Sequence, residues 1–203
     1  MLKKVLLAVG VVLAGIVTTV ALQPSTYRIE RSITLAAPVE IPFGLVNDFH
    51  RWHFWSPWEA MDPKMRKGFD GPYAGPGAIY TWAGNDRASK GKLTLLEAQP
   101  YTDIRIQCEL SRPGPSTSLL AFTFQPGPEG VTIHGSMEGR NTLAGKALSL
   151  FWDMDAMIGK DLEKGLATLK SVSEAEAKNR LERDALIKAR DAERAARATT
   201  TPP

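Results

Sequence analysis

Thr102-Asp-Ile-Arg-Ile-Gln-Cys-Glu-Leu110 sets Ile104, Ile106, Cys108 and Leu110 on one side of an extended chain and Asp103, Arg105, Gln107 and Glu109 on the other. Such a period of two marks a strand with one dry face, because successive side chains point to opposite sides of a sheet. Working outward, the chain from Lys64 to Glu138 breaks into similar segments separated by Gly and Pro. The spacing predicts strands near 64–70, 77–83, 90–98, 102–110, 117–125 and 131–139, an antiparallel meander. Upstream, Thr26 to Ala36 alternates too, with Tyr27, Ile29, Arg31, Ile33 and Leu35 on one side, and adds a first strand. Ala37-Pro38 then opens a short helix through about Val46, with Pro42 in or near its first turn, where a missing amide costs least.

Downstream the period changes. Leu143, Ala147, Leu150, Phe151, Met154, Ile158, Leu162, Leu166 and Leu169 recur at intervals of three and four, a helical stripe that needs a broad apolar surface to cover it. The sheet's dry face is that surface. Residues 25–172 are therefore read as one α+β domain, long enough for one well-buried core and too short for two ordinary ones. Residues 173–203 differ: Ala, Glu, Arg and Lys dominate to 198, with Leu181, Leu186 and Ile187 as the large apolar residues. A charged, partly frayed helical extension is expected there, solvated or docking a protein partner on 173–198, before a disordered tail.

The leader, residues 1–24, places Met1-Leu-Lys-Lys before an uncharged run from Val5 to Leu22. Eighteen residues make about 27 Å of helix, close to the hydrocarbon thickness of a bilayer. Residues 5–22 are thus expected to be one N-terminal transmembrane helix, with Lys3 and Lys4 on the cytoplasmic side. The domain would then be single-pass and extracytoplasmic, which means periplasmic in a Gram-negative cell. The alternative is a signal peptide cleaved near Thr19-Val20-Ala21 and a secreted product.

The formal charge of +3 arises from 25 Lys and Arg against 22 Asp and Glu with interspersed signs. No basic cluster of the kind that nucleic-acid binding requires is readable, so no nucleic-acid partner is expected. The single cysteine, Cys108, forms no internal disulfide. His50 and His53 stand three apart near Asp48, without the further ligand that a metal centre needs, and neither a metal nor a cofactor is expected.

One strand, short helices, six strands and a long helix are the element order of the helix-grip fold. Tyr27-Arg-Ile-Glu-Arg-Ser-Ile33, Val46-Asn-Asp48 with Trp55-Ser-Pro-Trp58, Gly75-Pro-Gly-Ala-Ile-Tyr-Thr-Trp82 through Asn85, and Asp153-Met-Asp155 through Leu166 resemble the polyketide cyclase/dehydrase-like branch of the SRPBCC, or START-related, superfamily. The resemblance implies a seven-stranded curved antiparallel sheet gripping the last helix, with an apolar cavity that takes a lipid or other hydrophobic small molecule. It implies ligand binding more than catalysis. One departure stands out: many relatives carry an aromatic close to Gly135, so this wall of the pocket would be opened or reshaped.

The candidate lining residues on the strands and the tryptophan segment are Trp55, Trp58, Tyr80, Trp82, Phe122, Phe124 and His134, and Phe151 and Met154 join them from the helix. Trp52 reads as a structural plug, whereas Trp55 and Trp58 suit a plug or a pocket mouth, and membrane contact is a third role for the segment. Tyr80 and Trp82 share a face, as do Phe122 and Phe124, and each pair suits core or pocket wall. His134, with Thr132, Ser136 and Glu138 on its face, is the best candidate general base if there is catalysis, and otherwise a surface histidine. Asp153 and Asp155 suit an ion pair at the edge of the helix better than an acid/base pair. Three functions remain open: a ligand binder, a cyclase, dehydratase or hydrolase using His134 with Glu138 or a helix aspartate, and a scaffold.

Overall fold

Alternation along the chain is realised as seven strands: β1 (Thr26–Leu35), β2 (Arg66–Asp70), β3 (Ile79–Ala83), β4 (Lys90–Gln99), β5 (Asp103–Leu110), β6 (Ser116–Gly127) and β7 (Gly130–Arg140). They form one antiparallel sheet in the order β1-β7-β6-β5-β4-β3-β2. Between β1 and β2 lie helix α1 (Glu40–Asn47) and two 3-10 turns, Phe49–Phe54 and Pro57–Met61. The structure, a computed structural model, describes residues 17–62, 64–85, 89–111, 114–140, 143–148 and 154–199 together with Lys4, Gly10, Ala14 and Gly15.

The helical stripe expected from Leu143 onward is carried by two described helices, α2 (Leu143–Leu148) and α3 (Met154–Thr199). Phe151 and Asp153 lie outside the described residues. So does most of the expected transmembrane segment 5–22, although Val17 to Leu22 are helical. Among the described residues no helix is long and apolar enough to cross a membrane.

The last strand turns back to pair with the first, from Thr26↔Arg140 to Leu35↔Val131. Gly130 permits this at the β6–β7 turn: its φ is +122°, and a Cβ there would run into the Leu35 carbonyl. At the other side of the sheet a bulge between Leu95 and Glu97 keeps both Leu95 and Ala98 on the inner face while Leu96 is exposed. Bulges of this kind sharpen the local twist and help the sheet to curve.

α3 lies along β1 and runs in the same direction. Arg31 joins Glu163 (Nε to Oε1, 2.6 Å) and Asp155 (Nη2 to Oδ2, 2.9 Å), and its guanidinium rests on Gly159, where a Cβ would not fit. Further on, Lys170 donates to the Thr34 carbonyl at 2.8 Å and Glu174 accepts from the Ala36 amide at 2.9 Å. Packing continues past 172, since Ser173 and Ala177 are buried. From Lys178 to Ala195 every residue is exposed, about 27 Å of helix standing clear of the sheet.

Candidate functional site

The inner, concave face of the sheet is best described as transverse rows, because the strand registers bring residues far apart in sequence side by side. One row reads Arg31, Gly135, Phe122, Ile104 and Ala98 across β1, β7, β6, β5 and β4. Here α3 comes down onto the sheet: a Cβ at Gly135 would meet Leu162 Cδ1 at 3.2 Å, Phe122 Cε1 at 3.5 Å and Leu166 Cδ1 at 3.6 Å. The glycine therefore does not open the wall. It lets two leucines of α3 take the space, and Phe122, Ile104, Leu162 and Leu166 are all buried.

Two rows further toward the start of β1 the chemistry changes. Tyr27, Gly139, Ser118, Cys108, Leu93, Tyr80 and Phe69 are aligned across all seven strands. The Ser118 hydroxyl lies between the Tyr27 phenol and the Cys108 thiol, and the Tyr27 phenol crosses Gly139, where a Cβ would meet its hydroxyl at 2.8 Å. Burial pushes the Tyr27 phenol up and the Cys108 thiol up to about 11, so both stay protonated near neutral pH. Both are therefore neutral groups that can donate a hydrogen bond.

At the far side of the same row Tyr80 donates to Glu59 Oε1 at 2.5 Å, and Glu59 also pairs with Lys67. Burial, reinforced by the Glu59 carboxylate, pushes the Tyr80 phenol up. Tyr80 stacks on Trp82 with centroids 5.7 Å apart. Trp82 in turn lies across Gly91, whose lack of a Cβ makes room for the indole. At the end of the sheet where β1 begins lies a groove of about 750 Å³, lined by Trp82, Gly91 and Leu110 and, from the outer face, by Thr81, Lys92, Glu109 and Thr117.

The other expected site residues separate into three groups. Trp52 and Trp55 are buried, and their indole N–H groups donate to the carbonyls of Val46 (2.9 Å) and Leu45 (3.1 Å) in the last turn of α1. Those carbonyls have no partner within the helix, so both indoles take the place of a plug. Trp55 also meets Phe122 edge-on, Phe124 is buried beside Phe43, and Trp58 is half-buried against the same core. Met154 opens α3.

His134 is a correction. Its cross-strand neighbours are Ser32 and Thr123 on the outer face, and its Nε2 lies 3.3 Å from Gln125 Oε1. Glu138 is on that face too, paired with Arg28 at 3.1 Å. With the sheet between them and α3, neither reaches a ligand on the concave side. The signal was present in the sequence, because Val131, Ile133 and Met137 alternate with His134 and claim the dry face.

His50 and His53 do not converge. His50 Nδ1 contacts Asp48 Oδ1 at 3.0 Å and its ring stacks between Phe69 and Tyr73, while His53 Nδ1 contacts the His50 carbonyl at 2.7 Å. Among the described residues no three metal-ligating side chains come together. Sequence reasoning missed Glu59 and the Tyr27–Ser118–Cys108 contact, which only the strand register reveals.

A family model described as polyketide cyclase / dehydrase and lipid transport matches residues 26–174. Among solved structures, a Chromobacterium violaceum protein is 17% identical with a TM-score of 0.52, over 74% of this chain and 99% of that one. The di-domain ARO/CYC of the steffimycin biosynthetic pathway is 12% identical with a TM-score of 0.57, over 75% of this chain and 52% of that one. A Staphylococcus aureus protein of unknown function is 11% identical with a TM-score of 0.55, over 75% and 96%. Identities this low show a shared fold alone. No curated protein sequence matches the chain significantly. The family match spans the whole sheet and most of the packed part of α3, and the chain belongs to the polyketide cyclase/dehydrase and lipid-transport family of the SRPBCC superfamily.

Proposed function

We propose that this domain binds a hydrophobic small molecule or lipid that carries a polar end, and that residues 5–22 hold it beside a membrane on the extracytoplasmic side. The observation that supports the binding reading is the transverse row itself. Elsewhere the concave face is closed by aliphatic and aromatic packing, but this row sets two hydroxyls and a thiol among Leu93, Tyr80 and the neighbouring Trp82. An apolar wall with a few fixed polar groups is the common make-up of a small-molecule site. In this reading the polar end of the ligand sits beside the Tyr27 and Ser118 hydroxyls.

Membrane tethering is supported by the uncharged run from Val5 to Leu22, flanked by Lys3 and Lys4. No step of a cyclisation or dehydration is assigned, because the groups on this row are neutral and His134 faces the other way. The test is titration of the full chain with fatty acids, phospholipids and sterols while tryptophan fluorescence and melting temperature are followed. A saturable response is expected for at least one class, and Ser118→Ala should weaken it by about three- to tenfold, the worth of one hydrogen bond. A flat response across all classes would overturn the binding reading.

A further inference from the structure

The antiparallel registers gather the start of β1, β2, β4 and β6 and the end of β3, β5 and β7 at one end of the sheet. Three cations stand there with no ion pair among the described residues: Arg66, Lys90 and Arg140, all exposed. Arg66 and Lys90 flank Ala83, their strands about 10 Å apart across β3. Arg140 is paired with Thr26 in the register, at the point where the chain enters the sheet. The nearby Lys67 and Lys92 are neutralised by Glu59 and Glu109. The opposite end carries carboxylates instead: Asp70 closes β2, Asp103 opens β5, Glu129 lies in the β6–β7 turn and Glu40 begins α1. The exposed cations without an ion pair are thus gathered at one end of the strands, where Asp62 accepts from the Asn85 amide and Glu59 and Glu109 are paired with lysines, and the other end is acidic.

The basic end is also the one closest to the leader. Only Gln23, Pro24 and Ser25 separate the helical residues ending at Leu22 from Thr26, a tether of at most about 14 Å. We infer that this end of the sheet is a docking surface for anionic phospholipid headgroups, with Arg66, Lys90 and Arg140 as its contacts. The inference rests on the membrane anchoring proposed above and adds the orientation of the domain. It turns this end of the sheet toward the bilayer and points the projecting part of α3 away. Attraction of a basic residue to an anionic leaflet acts within about 8 Å at physiological ionic strength, a distance the short tether keeps within reach.

The test uses the full chain in nanodiscs of neutral phosphatidylcholine, with or without phosphatidylglycerol, and follows lysine acetylation by mass spectrometry. Lys90 should react about fivefold more slowly in the anionic discs, the weight of one charge at such a surface, while Lys188 on the projecting helix reacts equally in both. High salt, or the paired changes Arg66→Gln and Arg140→Gln, should reduce the difference. Equal acetylation of Lys90 in both discs would overturn the docking surface even with the chain anchored. Failure to incorporate into either disc would refute the anchor instead, and flotation with phosphatidylglycerol vesicles then decides the surface. Binding that Arg66→Gln, Lys90→Gln and Arg140→Gln together abolish by about a hundredfold sustains it, and no binding overturns it.

Discussion

The two halves of the concave face are built from the same sheet but closed in different ways. Around Gly135 the helix descends until Leu162 and Leu166 touch the strand, and closure comes from matched apolar shapes. Around Gly139 the gap left by a glycine is crossed by a tyrosine ring, and closure comes with hydroxyls attached. A packed interior and the proposed binding wall are thus two uses of one device, a glycine on the inner face. The side chain that fills the vacancy decides between them.

The sharpest way to break this comparison is to truncate one residue in each half. Leu166→Ala leaves a cavity among Phe122, Gly135 and Leu162 and should cost about 2–5 kcal/mol in urea unfolding. Ser118→Ala removes one hydroxyl from a partly polar row and should cost about 1 kcal/mol. Equal losses would mean that both halves are structural, and the binding wall would lose its support.

A second substitution probes the glycine itself. Gly135→Phe places an aromatic on this wall, but Leu162 and Leu166 already occupy the space. Overpacking should destabilise the fold by about 1–3 kcal/mol as α3 is pushed outward, measurable as a lower melting temperature. Pairing it with Leu162→Ala should recover part of the loss, because the two positions share one volume. A neutral Gly135→Phe would show that the packed half has slack after all.

How far the sequence alone carried the reading follows from the range of each interaction. Alternation in 102–110 and 26–36 and the helical period after Leu143 are local signals; they located the strands to within a few residues, while the single stripe expected from Leu143 to about 170 is divided between α2 and an α3 that runs on to Thr199. Whether the wall at Gly135 is opened or reshaped was not legible, because a glycine does not say what moves in beside it. The indoles of Trp52 and Trp55 were equally opaque, since their acceptors are helix carbonyls. Tyr27, Ser118 and Cys108 meet only through the pairings of β1 with β7, β7 with β6 and β6 with β5, which no periodicity specifies. The sorting of Arg66, Lys90 and Arg140 to one end depends on the same registers.

The smallest effect distinguishes the halves by pH. Burial alone would push the Glu176 carboxyl up, but hydrogen bonds from Arg180 and from Arg51 beside α1 outweigh it and hold the group below its usual range. The hydrogen bond and charge of Arg31 likewise hold Asp155 down. A carboxyl depressed in the folded state contributes stability above its unfolded value, near 4.5 for Glu176 and 3.8 for Asp155, and that stability is lost as pH falls through the folded value. Asp161, pushed up by burial, has the opposite sign and costs stability as pH rises past the carboxylate range. Acid should therefore loosen the clasp of α3 on the packed half. The Tyr27 row has no group that titrates there, since its phenols and thiol are all pushed up. Melting temperature should fall as pH is lowered from 6 toward 3, and Arg51→Gln should flatten the part of that slope due to Glu176, worth about 0.5–1 kcal/mol. If the slope survives Arg51→Gln unchanged, the contact between α3 and the turn after α1 does not hold the packed half together.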